Sequence, residues 1–397
     1  MIKNNDIICF STSDWENPWG SKQQLMLRLS SANRILYVEY QASILHMLNV
    51  LFFINRIKKW SHNPRRVNEN LYVFTPLPCL PFGFYFRSVN RLNQLFLSLC
   101  LMKAFNKMGF KKPILWVYTP LAVDILRFAS HSLVVYHCIA DFANEKKIAK
   151  RMSTIAKMEK ELVEKCALVF ALTKSLCDYL SKVNTNTYYF PSAVDYEMFN
   201  SSCAEDAQEP EDIKEIRRPR IGIVTYLHDQ LDLSLLSYIA DERKNWSLVI
   251  IGKALRTRHD LSRLFKKKNV FFLGEKKHHD IPRYIKSFDV CLIPYVKNEY
   301  TDNVSPLKLC EYLSMGKPVV SSGLESLLEF RDTISLCETK EEFLRQINRY
   351  IEHGNNDQSI ITKRKEVAQQ NSWDKRIELL TSLLEESCAK ERNNYVS

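Results

Sequence analysis

"TDNVSPLKLCEYLSMGKPVVSS", Thr301–Ser322, sets a helix start, a helix stop and a buried strand within six turns of chain. Ser305 suits an N-cap, and Pro306 suits the first helical position, where its missing N–H would have been unpaired anyway. Gly316 suits the left-handed residue that closes a helix, and Pro318 bars continuation. Val319–Val320 then reads as a buried strand. The first turn of this helix presents free N–H groups and the positive end of the dipole, and Lys308 adds a full charge there. Such an end suits an anion. Glu311, one turn on, shares the face of Lys308.

The same helix–strand alternation extends in both directions. "DIICFS" and "NRILYVEY" flank a helical "SKQQLMLRLSSA", followed by "NLYVFTPL", a long helix through "RLNQLFLSLCLMKAFNKMGF", and "PILWVYTP". "SLVVYHC", "ALVFALT" and "TYYFPS" continue the series, with helices between them. This order predicts a parallel sheet covered by helices on both faces. The polar segment 201–219 interrupts the series and reads as a linker, after which strands recur from "RIGIVTYL" to "PVVSS". The expected organisation is an N-terminal α/β domain over 1–200, the linker, a second α/β domain over 220–370, and a helix over 371–397. In that helix Ile377, Leu380, Leu383 and Leu384 recur at helical spacing and call for a packing partner, expected to be the N-terminal domain.

With 397 residues the chain has room for two cores. Its 9 glycines form neither G-x-G-x-x-G nor G-x-x-x-x-G-K-[ST], which argues against dinucleotide and Walker-type sites. Eleven cysteines without a C-x-x-C pair read as free thiols in a reducing cytoplasm. "DIICFS" follows so soon after Met1 that no signal peptide is expected. The longest apolar stretch, Ile44–Trp60, is broken by His46, Asn49, Asn55 and Arg56 and is no membrane span. Residues 1–200 hold 25 Lys and Arg against 14 Asp and Glu, so the whole net charge of +11 lies there. A basic half beside a neutral half suggests an anionic surface for the first and a different partner for the second. No nucleic-acid motif accompanies the charge.

The segment "FFLGEKKHHDIPRYIKSFDVCLIPYVKNEYTDNVSPLKLCEYLSMGKPVVSS" resembles the donor-binding half of group 1 glycosyltransferases of GT-B fold, in particular the branch serving cell-envelope polysaccharides, teichuronic-acid type. "STSDWENPWGSKQQLMLRLSSANRILYVEY", "PILWVYTP", "VVYHCIADF" and "NSWDKRIELL" extend the likeness over nearly the whole chain. The resemblance implies two Rossmann-like domains facing each other across a cleft. It also implies a UDP- or GDP-linked sugar as donor substrate, no further cofactor, and a glycan or lipid-linked acceptor. By the same resemblance the Ser305–Pro306 helix start with Lys308 holds the pyrophosphate of the donor, Glu311 takes the ribose hydroxyls, and Asn303 and Val304 are further donor-binding candidates. Asn303 stands where the wider superfamily carries a glutamate. "YHCIAD" replaces the acidic "YDxxDD" of many relatives, and "PSAVD" replaces "PNGVD". These departures keep a second expectation open, a non-catalytic assembly or sugar-binding partner in the same pathway.

Further candidates come from strand ends. Lys253 follows "WSLVIIG" and is a donor candidate, with a plain loop lysine as the alternative. His137 and Asp141 follow "LVVY", where a base facing the cleft would take the acceptor's proton; a structural histidine is the alternative. Asp14 and Trp15 lie on the loop after the first strand and are acceptor-side candidates. Lys276, Lys277, His278 and His279 are candidates for the base pocket, with a solvated turn as the simpler reading. No metal site is expected, since no Asp-x-Asp is present and two adjacent histidines lack a third ligand. Arg56, Lys58, Lys59, Trp60, Arg65 and Arg66 crowd next to an apolar run and predict contact with an anionic membrane. The expected location is therefore cytoplasmic, peripheral at the inner face of the membrane.

Overall fold

The computed structural model describes residues 2–16, 20–60, 63–140, 149–202, 208–254, 261–302, 307–354 and 357–394. They fall into two compact units, Met1–Pro191 with Ile377–Ser397, and Ser192–Arg376.

The first unit is built on eight strands: β1 (Asp6–Phe10), β2 (Arg34–Val38), β3 (Arg65–Arg66), β4 (Leu71–Phe74), β5 (Ile114–Val117), β6 (Leu133–Cys138), β7 (Leu168–Ala171) and β8 (Thr187–Tyr189). Their order is β3-β4-β2-β1-β5-β6-β7-β8, parallel except for the edge strand β3. The inner strands are continuous apolar runs because both faces are covered. Helices α1 (Ser21–Leu29), α2 (Val50–Lys59), α3 (Arg87–Met108) and α4 (Ala149–Lys165) connect them. Leu97, Leu101 and Ala104 of α3 and Met158, Leu162 and Val163 of α4 pack into one core with Leu115, Val117, Val134 and Tyr136. Strand order reverses between β1 and β5, the place where such sheets take ligands at their carboxyl ends.

The second unit carries six parallel strands: β9 (Arg220–Val224), β10 (Ser247–Ile251), β11 (Val270–Phe272), β12 (Val290–Ile293), β13 (Val319–Ser322) and β14 (Ser335–Cys337). The order β11-β10-β9-β12-β13-β14 is the doubly wound 3-2-1-4-5-6 arrangement, reversing between β9 and β12. Close approach explains two glycines. A Cβ on Gly222 in β9 would lie 1.9 Å from the Phe288 ring. Gly252 follows β10 at φ +147, and a Cβ there would lie 1.7 Å from the Thr225 carbonyl oxygen. The expected α/β class with two Rossmann-like sheets is what the chain forms.

One expectation needs correction. The segment read as a linker belongs to the second unit, whose boundary lies at 191/192. Ile213 and Ile216 are buried in its core, and Glu209 holds Arg218 at 3.0 Å and Arg220 at 2.9 Å. Apolar anchors inside a charged sequence were outweighed by its overall polarity. The stretch 44–59 is built of two helical pieces. A 3-10 turn at Ile44–Leu48 ends at Asn49, whose side chain accepts from Phe52 N–H and restarts the chain as α2.

Candidate functional site

In the second unit the helix Leu307–Ser314 follows the carboxyl side of β12 and precedes β13. Lys308 Nζ donates to both carboxylate oxygens of Glu311, at 2.9 and 2.7 Å. Glu311 is 1 % exposed and Lys308 25 %, so this is no solvated surface pair. Tyr312, one residue on, points into the sheet and accepts from Val224 N–H at 2.8 Å, which fixes the helix against the end of β9. His278 lies in the electrostatic reach of the pair. Burial lowers its pKa below the ordinary imidazole value, opposed by the Glu311 and Asp195 carboxylates and reinforced by Lys308. Its ring meets Phe199 edge-on at 5.8 Å. The site thus offers a buried carboxylate with two acceptor oxygens, an amine, and a half-buried neutral imidazole.

Of the other donor candidates, Lys253 stands at the end of β10, half exposed and 3.9 Å from Glu275. It pairs there rather than with Glu311. Asn303, Val304 and Ser305, with Pro306, lie outside the described residues. Lys276 is engaged by Asp212 at 2.6 Å, and His279 is largely exposed beside Asp280. His278 is therefore the member of the "KKHH" run brought to Lys308 and Glu311. Its alternation with exposed neighbours, Lys277 and His279, is the signal that singles it out.

In the first unit His137 is buried at the end of β6. It does not face open solvent. It is 4 % exposed and enclosed by Tyr118, Phe190, Trp116 and Phe170 at ring distances of 4.9, 5.3, 6.1 and 6.1 Å. Burial, reinforced by Lys22, takes its pKa down to about 3, and its Nδ1 has no partner. Asp141 lies outside the described residues. Asp14 is also committed, since its carboxylate accepts from Arg56 Nη1 at 2.5 Å. A residue the sequence did not single out is Lys22, in the first turn of α1. Its amine donates to Thr12 Oγ1 at 2.6 Å and lies 5.7 Å from the Tyr118 ring centre. Burial lowers its pKa to about 8. Its place in the first turn of the helix after the first strand was the available clue.

The basic cluster is corrected in part. Arg56 is 2 % exposed and turned inward to Asp14 and the Tyr40 carbonyl. Lys59 and Arg65 share Glu16, at 2.6 and 3.2 Å. Trp60 is half-buried, while Lys58 and Arg66 are exposed. On the described part of α2 Arg56 faces the protein, while Phe53, Ile54, Ile57 and Lys58 are exposed. Among the described residues no helix is long and apolar enough to cross a membrane, and no cluster of metal-ligating side chains occurs.

Known proteins match this architecture. The family model for group 1 glycosyl transferases matches residues 220–353. TuaH of Bacillus subtilis (strain 168), named as a teichuronic acid biosynthesis glycosyltransferase, is 30% identical over 141 residues, 34% of each chain. The match thus spans about a third of that relative's length. Among solved structures, Anabaena Alr3699/HepE in complex with UDP and glucose aligns with TM-score 0.64 and 16% identity, over 96% of this chain and 99% of its own. Sucrose-phosphate synthase from Thermosynechococcus elongatus aligns with TM-score 0.69 and 14% identity, over 98% and 100%. An E. coli trehalose-6-phosphate protein bound with UDP-2-fluoro glucose aligns with TM-score 0.68 and 11% identity, over 95% and 98%. At such identities these structures speak for the fold. Residues 220–353 thus match the group 1 glycosyl transferase family model, and the chain as a whole shares the fold of these structures.

Proposed function

We propose that the protein transfers a sugar from a nucleotide-diphosphate sugar to a hydroxyl of an envelope or exopolysaccharide acceptor carried on a lipid, at the cytoplasmic face of the membrane. The observation that carries the donor half is the pairing of Lys308 with a buried Glu311 inside the matched domain. A ribose diol donates to both Glu311 oxygens as Lys308 now does, and displaces the amine towards the diphosphate. There Lys308 and the helix N–H groups oppose the negative charge that grows on the leaving group. In this reading they do so without a resident metal, in keeping with a sequence that has no Asp-x-Asp. The UDP complexes of the structural neighbours favour a uridine donor. The exposed Phe53, Ile54 and Ile57 of α2, with Lys58 and Arg66 exposed beside them, support contact of the first unit with an anionic bilayer.

Melting curves with UDP, UDP-glucose and GDP test the donor half. A ligand that binds only the folded chain at about 100 times its Kd adds about 2.7 kcal/mol of stability. Glu311→Ala is expected to abolish the shift. No shift with any nucleotide would overturn the reading.

A second reading, a non-catalytic sugar-binding partner, draws on the first unit. There the base candidate His137 is committed to an aromatic enclosure and the acceptor-side candidate Asp14 to Arg56. Release of UDP from UDP-sugars in the presence of envelope lipid extract separates the two, since only the transferase releases it.

A further inference from the structure

A cavity of about 410 Å³ opens in the first unit at the carboxyl ends of β1, β2 and β5. This is the size of a small-ligand site, at the reversal of strand order where such sheets bind ligands. Phe10, Val38, Leu97 and Leu121 contribute apolar walls, and Leu80 and Phe82 lie at its outer side. Three observations distinguish it from a packing defect.

The first is helix α3. Its inward face carries Asn90, Asn93 and Gln94 where a plain core would be apolar. Asn93 clamps the loop through Leu80 N–H and the Leu80 carbonyl, and Asn90 donates to the Leu121 carbonyl and to Asp124. Gln94 is 6 % exposed, lines the cavity, and its Oε1 has no partner. A buried acceptor left unpaired is costly and calls for a donor.

The second is Phe82. It holds φ +69, a left-handed conformation that a bulky residue rarely adopts, and keeps its ring at the cavity while 55 % exposed. With Leu45, Leu80 and Phe84, each 40 to 50 % exposed, it gives the cavity an apolar rim open to solvent. The Ile44–Lys59 segment bearing Leu45 also carries the outward Phe53, Ile54 and Ile57.

The third is charge. Glu39, 2 % exposed, lines the same cavity; its oxygens accept from Trp15 N–H at 2.9 Å and Thr75 Oγ1 at 2.6 Å, and the half-exposed Arg65 reaches it only at 3.9 Å. A second anion beside it is disfavoured, whereas a neutral donor is not.

We propose that this cavity holds the neutral, hydroxyl-bearing head of an amphiphile, one hydroxyl donating to Gln94 Oε1, with its apolar chain leaving across the Leu45–Leu80–Phe82–Phe84 rim. The proposal takes from the transferase reading only that the first unit receives the acceptor, and it names that acceptor's class. A free sugar lacks the chain that the rim requires. An amphiphile with phosphate at the same depth meets Glu39.

Calorimetric titration of the full chain with hexyl-β-D-glucoside, glucose and hexyl phosphate tests this. Hexyl glucoside is expected to bind at least tenfold tighter than either of the others. Leu80→Asp and Phe82→Gly, both at exposed positions, are each expected to weaken it about tenfold, and Phe82→Gly also relieves the left-handed strain. Gln94→Leu is expected to weaken it about five- to tenfold without lowering the melting temperature, because it removes an unpaired acceptor. Vesicles of phosphatidylglycerol are expected to leave the glucoside affinity within about twofold. Equal binding of glucose or of hexyl phosphate, variants without effect, or displacement by the vesicles would each overturn the proposal, the last assigning the cavity to bilayer lipid. UDP is titrated separately. Loss of UDP binding with glucoside binding intact counts against the donor reading alone, and the converse against the cavity alone.

Discussion

Lys308 Nζ lies within 2.9 Å of both carboxylate oxygens of Glu311, one turn along the same helix, with the carboxylate 1 % exposed. Exposed pairs at this spacing contribute a few tenths of a kcal/mol. Here the loss of one partner strands a buried charge. Lys308→Met is therefore expected to destabilise the chain by about 2 kcal/mol, and Lys308→Met with Glu311→Gln to recover most of it. Urea unfolding of the single and double variants measures this. A single-variant loss below about 0.5 kcal/mol would show the pair to be solvated.

Arg56 and Lys58 occupy the same helix and are expected to behave in opposite ways. Arg56→Gln leaves Asp14 without its partner in a mostly buried setting and should lower stability by about 2 kcal/mol, with little effect on membrane association. Lys58→Gln with Arg66→Gln should leave unfolding unchanged and reduce sedimentation with anionic liposomes, each exposed cation contributing about 1 kcal/mol near a headgroup surface. Ile54→Ser with Ile57→Ser should weaken the salt-resistant part of the same binding, since those side chains face out. Sedimentation at low and high salt reads the two contributions separately. Equal loss from Arg56→Gln and from the Lys58/Arg66 pair would sink the distinction.

The alternation of apolar runs made both sheets legible, because strands buried on two faces must be continuously apolar whatever else surrounds them. The close of the helix that carries Lys308 and Glu311 was legible for a similar reason: Gly316, at φ +68, and Pro318 end it locally. What sequence did not reveal depends on direction. Arg56 reads as a surface charge until the turn at Asn49 rotates α2 so that it meets Asp14, 42 residues earlier. His137 reads as a strand-end base until Tyr118 and Phe190 close over it. Gln94 reads as one more polar helix residue until the Leu80 loop and β5 leave a space beside it. Each outcome is set by partners distant in sequence, on which local periodicity is silent.

Gly222 and Phe288 show how tightly one such distant pair is fitted. A Cβ at position 222 would lie 1.9 Å from the Phe288 ring, which is itself fully buried. Gly222→Ala is expected to cost about 3 kcal/mol, and a second change, Phe288→Leu, to restore part of that by making room. Thermal unfolding of the two single variants and the double variant forms the cycle. Additive losses would mean that the two positions do not touch.

His137 gives a pH dependence with a defined sign. Its pKa in the folded chain is about 3, held down first by burial and then by Lys22, against about 6.5 for an exposed histidine. Between these values the unfolded chain binds a proton that the folded chain does not, so stability falls as pH is lowered from about 6.5 towards 3. At pH 5 the single group removes about 2 kcal/mol relative to neutral pH. His278, also lowered by burial, acts in the same direction. His137→Phe keeps an aromatic ring among Tyr118, Phe190, Trp116 and Phe170 and removes both the titration and the unpartnered Nδ1. Its stability, measured by urea unfolding at pH 7 and at pH 5, is expected to exceed that of the unmodified chain by more at pH 5, with a difference of differences of about 2 kcal/mol. A parallel pH profile for the two proteins would mean that His137 takes up its proton in the folded state, and would restore it as a candidate base.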